Sequence, residues 1–142
     1  MATHAFATPV PGGILSTDEY QLTMAQLYFR NGLHERPARF EHFFRSYPDY
    51  GEHQAGYCIA AGLEQLADWV LTTRTAPADV DALRGHRSRT GDPLFSEDFC
   101  KWFAGVDFGG LRIDAVPEGR VVHANTPITV VEGPLAAAQL VE

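Results

Sequence analysis

Apolar residues recur along this chain in two rhythms, and the switches between them divide it. In 15–29, LSTDEYQLTMAQLYF, the rhythm is helical. Tyr20, Thr23, Met24 and Leu27 share one stripe, and Leu22, Ala25 and Phe29 the neighbouring one. Ser16 followed by Glu19 fits a capping box, in which hydroxyl and carboxylate satisfy free backbone N–H groups reciprocally. Asn31-Gly32 marks the expected end of this helix. The next stretch, ARFEHFFR, alternates instead. Phe40, His42 and Phe44 fall on one face, and Arg39, Glu41, Phe43 and Arg45 on the other. Residues 38–45, bounded by Pro37 and Pro48, therefore read as a strand with Arg45 at its end.

The helical period returns over 56–72, where Ile59, Leu63, Leu66 and Val70 are correctly spaced. A short helix is expected after Thr75-Ala76, with Pro77 in its first turn. Another is expected after Ser96 as N-cap, through 97–103. Beyond Gly105 the runs become short and extended: 111–116, 120–123 and 128–132, punctuated by Pro117, Gly119, Asn125 and Pro127. They predict a small antiparallel or barrel-like β unit. Gly133-Pro134 opens a last helix, with Pro134 suited to its first position, and the apolar run stops at Val141-Glu142 without a capping glycine. The expectation is an α+β chain, its N-terminal helices packed on a small mixed or antiparallel sheet with a C-terminal β unit. Residues 1–14, rich in Pro and Gly, form an extended lead-in; 15–132 form the domain; 133–142 start a helix leading onward.

Composition narrows the function. A chain of 142 residues can bury roughly 68–70% of its unfolded surface in one core, and 45% hydrophobic with 20% charged residues is ordinary for a globular protein. Eleven Lys+Arg against 18 Asp+Glu give a net charge of -7, which speaks against a clustered basic surface for nucleic acid. His86-Arg87-Ser88-Arg89 reads as a solvated loop. Cys58 and Cys100 fall in apolar helical patterns without CxxC spacing, as buried reduced thiols do. The N-terminus lacks a basic, apolar leader pattern, and no stretch approaches the ~20 apolar residues of a membrane span. The expected setting is soluble and cytoplasmic, with neither nucleic acid nor membrane as partner.

Common catalytic motifs are absent: there is no phosphate-binding glycine loop, no GxGxxG and no GxSxG. The six histidines form neither HxH nor HxxxH, so no metal site is expected. Composition and spacing alone lead no further than a soluble α+β domain.

Longer stretches do lead further. LSTDEYQLTMAQLYF at 15–29, ARFEHFFRSYP at 38–48, GYCIAAGLEQLADWV at 56–70, FSEDFCKWF at 95–103 and AVPEGRVVHANTPITVVEGPLAAAQLVE at 115–142 occur in this order. Together they resemble the N-terminal portion of nicotinate phosphoribosyltransferases, over Leu15 to Glu142. The resemblance implies the N-terminal domain of a type II phosphoribosyltransferase. It also implies a part in forming nicotinate mononucleotide from nicotinate and phosphoribosyl pyrophosphate with ATP hydrolysis, a step of NAD salvage. The family's irregular α/β barrel, which carries the histidine phosphorylated by ATP, is not in this chain. The implied partners are that barrel portion and a second copy of the completed unit in a homodimer. ATP and Mg belong to the complete enzyme, none being bound by this chain alone, and the chain alone is expected to be inactive. Two alternatives are a relative using nicotinamide, and a non-catalytic structural or regulatory module pairing with a barrel subunit.

The resemblance also implies site residues, and no catalytic group among them. Tyr20 corresponds to a tyrosine that stacks on the nicotinate ring across a dimer interface; packing over the helix start is the alternative. Arg45 corresponds in position to a phosphate-contacting arginine of a related nicotinamide-using enzyme, also supplied in trans, against which stands a surface ion pair with Glu41. Asp18 corresponds to an aspartate near the amide in nicotinamide-specific relatives. Beside nicotinate's carboxylate it would be repelled, so helix N-terminal electrostatics is the preferred role. Glu118 shapes a turn, and His42 and His123 are strand residues with satisfied nitrogens. Residues 46–55, SYPDYGEHQA, are longer and more polar than the family pattern.

Overall fold

The computed structural model describes residues 13–141. The lead-in expected over 1–14 lies outside the described residues except for its last two, which enter a 3-10 turn at Gly13–Leu15 with Ile14 fully buried. Helix α1 spans Glu19–Arg30 and ends at Asn31, followed by Gly32 in the left-handed region, as the sequence predicts. Of its two stripes, the one with Leu22, Ala25 and Phe29 faces the core. The stripe with Tyr20 and Leu27 faces out, both residues being more than half exposed.

Strand β1 covers Pro37–His42, three residues short of the expected strand. Its ladder partner stops at Thr129, opposite His42, so Phe43, Phe44 and Arg45 lie beyond the sheet. The next correction concerns 56–72. Only Leu63–Thr72 is helical (α2), while Cys58–Ile59 forms a short strand, β2. Gly62, with φ 94°, makes the break, and Cys58 and Ile59 pair with Val122 and Val121. The apolar spacing continues through both elements, which is why periodicity alone joined them. Cys58 is thus a strand residue, whereas Cys100 is fully buried in a helix, and both thiols are free.

Helix α3 (Pro77–Gly85) starts at the expected proline, with the Asp79 carboxylate accepting the Ala76 N–H at 2.8 Å. Helix α4 (Glu97–Phe103) is capped by Ser96, whose Oγ accepts the Phe99 N–H at 3.3 Å. Three strands follow: β3 (Arg112–Ala115), β4 (Val121–Val122) and β5 (Thr129–Pro134). All pair antiparallel. β5 lies between β1 and β3, with Ala38 opposite Gly133 and Ile113 opposite Val131, while β4 pairs with β2. β5 extends through Pro134, so the final helix α5 begins one residue later than expected, at Leu135–Val141.

The core is centred on Phe99, which has no exposed surface and whose ring centroid lies 5.5–6.0 Å from those of Phe29, Phe95, Trp102 and Phe103. Aromatic pairs at this spacing add about 0.5–1.5 kcal/mol each beyond the area they bury. Helix α5 packs on α1 and on the sheet through Ala136, Ala138 and Leu140, all essentially buried. Small side chains allow that close approach at no rotamer cost. The one polar member, Gln139, is 1% exposed and accepts a hydrogen bond from the Tyr28 hydroxyl at 3.2 Å. No helix among the described residues is long and apolar enough to cross a membrane.

Candidate functional site

The start of α1 is built differently from the capping box expected at Ser16 and Glu19. Ser16 N–H donates to the Gly13 carbonyl at 3.2 Å, so Ser16 closes the 3-10 turn instead of capping the helix. Asp18, extended at φ −72° and ψ 147°, is the N-cap. Its N–H donates to Gln21 Oε1 at 3.0 Å, and the Gln21 N–H donates to its carbonyl at 3.0 Å. The box therefore sits two residues later than the spacing implied. Tyr20 falls in the middle of the first turn, between exposed Glu19 and buried Gln21.

That turn helps to line an open cleft of about 650 Å³. Leu15, Thr17, Asp18 and Tyr20 line it on this side. Gly62, Gln65, Leu66 and Trp69 of the α2 segment and Leu140 and Val141 of α5 complete the lining. Tyr20 is 51% exposed, so its ring is a face of the cleft and not a plug in the core. Thr17 is also in the lining, and its Oγ1 is buried without a hydrogen-bond partner among the described residues. Such a group is costly unless something meets it.

Two contacts hold the α2 segment in place. Trp69 Nε1–H donates to the Gly13 carbonyl at 3.2 Å, tying α2 to the turn before α1. Glu118 does more than shape its turn. Its Oε1 accepts the Glu64 N–H at 3.1 Å, placing a carboxylate on the N-terminal turn of α2.

Of the three candidate residues, the fold brings Tyr20 and Asp18 to this cleft and leaves Arg45 out of its lining. Arg45 is exposed past the end of β1. Glu41, weighed as its ion-pair partner, is held by Arg39 at 3.0 Å, and Arg39 also reaches Glu132 at 3.5 Å. The guanidinium of Arg45 makes no ion pair or hydrogen bond among the described residues. His42 is exposed at the end of β1, whereas the Nδ1 of His123 lies 3.0 Å from the Tyr47 hydroxyl.

Sequence reasoning assigned no role to Thr17 or Trp69. Thr17 carried a local signal, its place between the turn and the cap; the cleft-facing side of Trp69 depends on how α2 docks and had none. The perturbed titrations lie elsewhere. Burial pushes the Cys100 thiol up, and the Arg84 side chain, bonded at 2.8 and 3.1 Å, holds the Glu97 carboxyl below its ordinary value.

Comparison with known proteins bears on this geometry. The family model for the nicotinate phosphoribosyltransferase (NAPRTase) N-terminal domain matches residues 15–142. The chain is 34% identical over 128 residues to a nicotinate phosphoribosyltransferase of Caenorhabditis elegans, covering 90% of this chain and 21% of that protein. It is 37% identical over 128 residues to one of Bacillus subtilis, covering 90% and 24%. In structure it resembles human nicotinic acid phosphoribosyltransferase, with a TM-score of 0.69 and 35% identity over 87% of this chain and 23% of that one. The chain thus spans between a fifth and a quarter of the length of these relatives.

Proposed function

This chain belongs to the nicotinate phosphoribosyltransferase family, as its N-terminal domain, and on that footing we propose that it supplies one wall of a site at which nicotinate and phosphoribosyl pyrophosphate form nicotinate mononucleotide. The remaining wall would come from a barrel portion of the same enzyme, and the completed units would pair as a homodimer in the cytoplasm. In this reading the pyridine nitrogen attacks the anomeric carbon as pyrophosphate departs, through an oxocarbenium-like state. Such a reaction needs its ring held flat, cations on the phosphates and shielding of the developing charge.

Tyr20 is the group this chain offers to the ring, and its half-exposed position at the edge of the cleft is the observation that carries the proposal. A ring facing outward from its own core is what stacking on a ligand shared with a second copy requires. Arg45 would serve the phosphates, because an exposed guanidinium without a partner among the described residues can make bidentate, charge-assisted bonds. Asp18 is the N-cap of α1, and we read its carboxylate as complementing the helix dipole and not as a ligand to an anionic ring. In this reading the barrel portion holds ATP and its Mg²⁺.

The test is Tyr20→Ala and Tyr20→Phe in the enzyme reconstituted from this chain and its barrel portion. An aromatic stack worth about 0.5–1.5 kcal/mol corresponds to a roughly 2- to 12-fold rise in the nicotinate KM for the alanine variant. The phenylalanine variant keeps the ring and should stay near wild type. An unchanged nicotinate KM in Tyr20→Ala would refute the proposal and favour a non-catalytic module.

A further inference from the structure

Arg45 lies past the last ladder pair of β1, yet the backbone around it is tied down. Ile128 N–H donates to the His42 carbonyl at 2.9 Å, and Asn125 N–H to the Phe44 carbonyl at 2.8 Å. Between these contacts Thr126-Pro127 is looped out, and Pro127 has no N–H to give. Asn125 has φ 57° and is the one non-glycine residue with positive φ among the described residues. Asparagine tolerates that conformation because its short carboxamide can bond locally. Here the carboxamide has a specific use: its Nδ2 donates to the carbonyl of Arg45 at 3.3 Å.

A second fastening lies two residues on. The Tyr47 hydroxyl accepts the Ala124 N–H at 3.3 Å and sits 3.0 Å from His123 Nδ1. The Tyr47 ring also packs edge-on against Phe44, centroids 5.6 Å apart. Residues before, at and after Arg45 are therefore each attached to 123–125, while the guanidinium itself has no partner among the described residues.

We infer that Asn125 is a positioning residue for Arg45, with Tyr47 as its support. Together they order the main chain so that the guanidinium meets an anionic phosphate group without a loop having to be ordered at the same time, which would otherwise weaken binding. This rests on the reading of Arg45 as the phosphate ligand. A turn that needed only the left-handed backbone could use glycine; what asparagine adds is the bond to the Arg45 carbonyl.

Asn125→Gly separates the two roles, because glycine keeps the backbone conformation and removes the carboxamide. In the enzyme reconstituted with its barrel portion, Asn125→Gly should raise the KM for phosphoribosyl pyrophosphate about 3- to 10-fold, the size expected for one such hydrogen bond. The nicotinate KM and kcat should stay within about twofold. Tyr47→Phe should shift the same KM in the same direction. Combined with Arg45→Ala, which should raise that KM by itself, Asn125→Gly should add little, since the two act through one group. If Arg45→Ala raises the KM while Asn125→Gly and Tyr47→Phe leave it unchanged, the positioning role is wrong and the phosphate reading survives. If Arg45→Ala leaves the KM unchanged, the phosphate reading fails and the inference with it. An equal loss for both substrates in Asn125→Gly would mark a purely structural turn and overturn the inference.

Discussion

Gly133 joins the central strand β5 to helix α5, and its replacement by alanine probes how tightly that junction is built. A Cβ added there would lie 2.6 Å from Leu111 Cδ2, 2.9 Å from the Gly110 carbonyl oxygen and 3.3 Å from Leu111 Cα. The Leu111 methyl can rotate away. The Gly110 oxygen is backbone and can move only by shifting the approach to β3. Gly133 also holds φ 158°, where L side chains are strained, and it is anchored opposite Ala38 in the β1 ladder. Backbone strain of about 1–3 kcal/mol and overpacking of about 1–3 kcal/mol place the cost of Gly133→Ala at roughly 2–6 kcal/mol. Gly119→Ala is the internal control. That glycine has φ 79° but open space around it, so only the conformational cost of about 1–2 kcal/mol applies. Thermal and urea unfolding of both variants would measure the difference. At about 4 °C per kcal/mol for a chain of this size, Gly133→Ala should melt roughly 8–24 °C below wild type. If Gly133→Ala proves no more destabilising than Gly119→Ala, the close approach of Gly110 is not what requires glycine here, and the reasoning fails.

Two further outcomes follow from the titrating groups, beside those expected for Tyr20 and Asn125. Glu97 is held below its ordinary value by Arg84, so its contribution is present above the unfolded carboxylate range and is lost as pH falls through the folded value. The stability advantage of wild type over Glu97→Gln should therefore shrink between neutral pH and the acidic range; an advantage independent of pH would contradict the pair's role. Cys100 is fully buried and its thiol is pushed up by desolvation, whereas Cys58 is partly exposed in β2. A thiol reagent should modify Cys58 in the folded protein and Cys100 only on unfolding, and fast native labelling of Cys100 would count against the packing of α4.

Much of the chain was legible from local signals. The stop of α1 at Asn31-Gly32, Pro77 opening α3 and Ser96 capping α4 each depend on a few adjacent residues, and the structure places them as read. The long motifs identified the family without reference to packing, because they hold residue order over nearly the whole chain. Tyr20 was singled out on that basis, though its outward face was not foreseeable: both stripes of α1 are apolar enough to be buried.

Where the reading failed, a distant partner had decided the matter. Cys58 and Ile59 continue a helical period, but β4 takes their hydrogen bonds and Gly62 breaks the chain direction. Phe44 and Arg45 continue an alternating pattern, but β5 runs out opposite His42 and the loop at Asn125 takes over. The capping box moved from Ser16 to Asp18 because Gly13 claims the Ser16 N–H first. Local sequence, in short, determined where helices can begin and end, since caps and turns are satisfied within a few residues. Tertiary structure determined which backbone groups remain unpaired for distant strands to use, and so where Tyr20, Asp18 and Arg45 stand relative to one another. That assignment is non-local because a strand's hydrogen bonds, unlike a helix's, are completed only by another part of the chain.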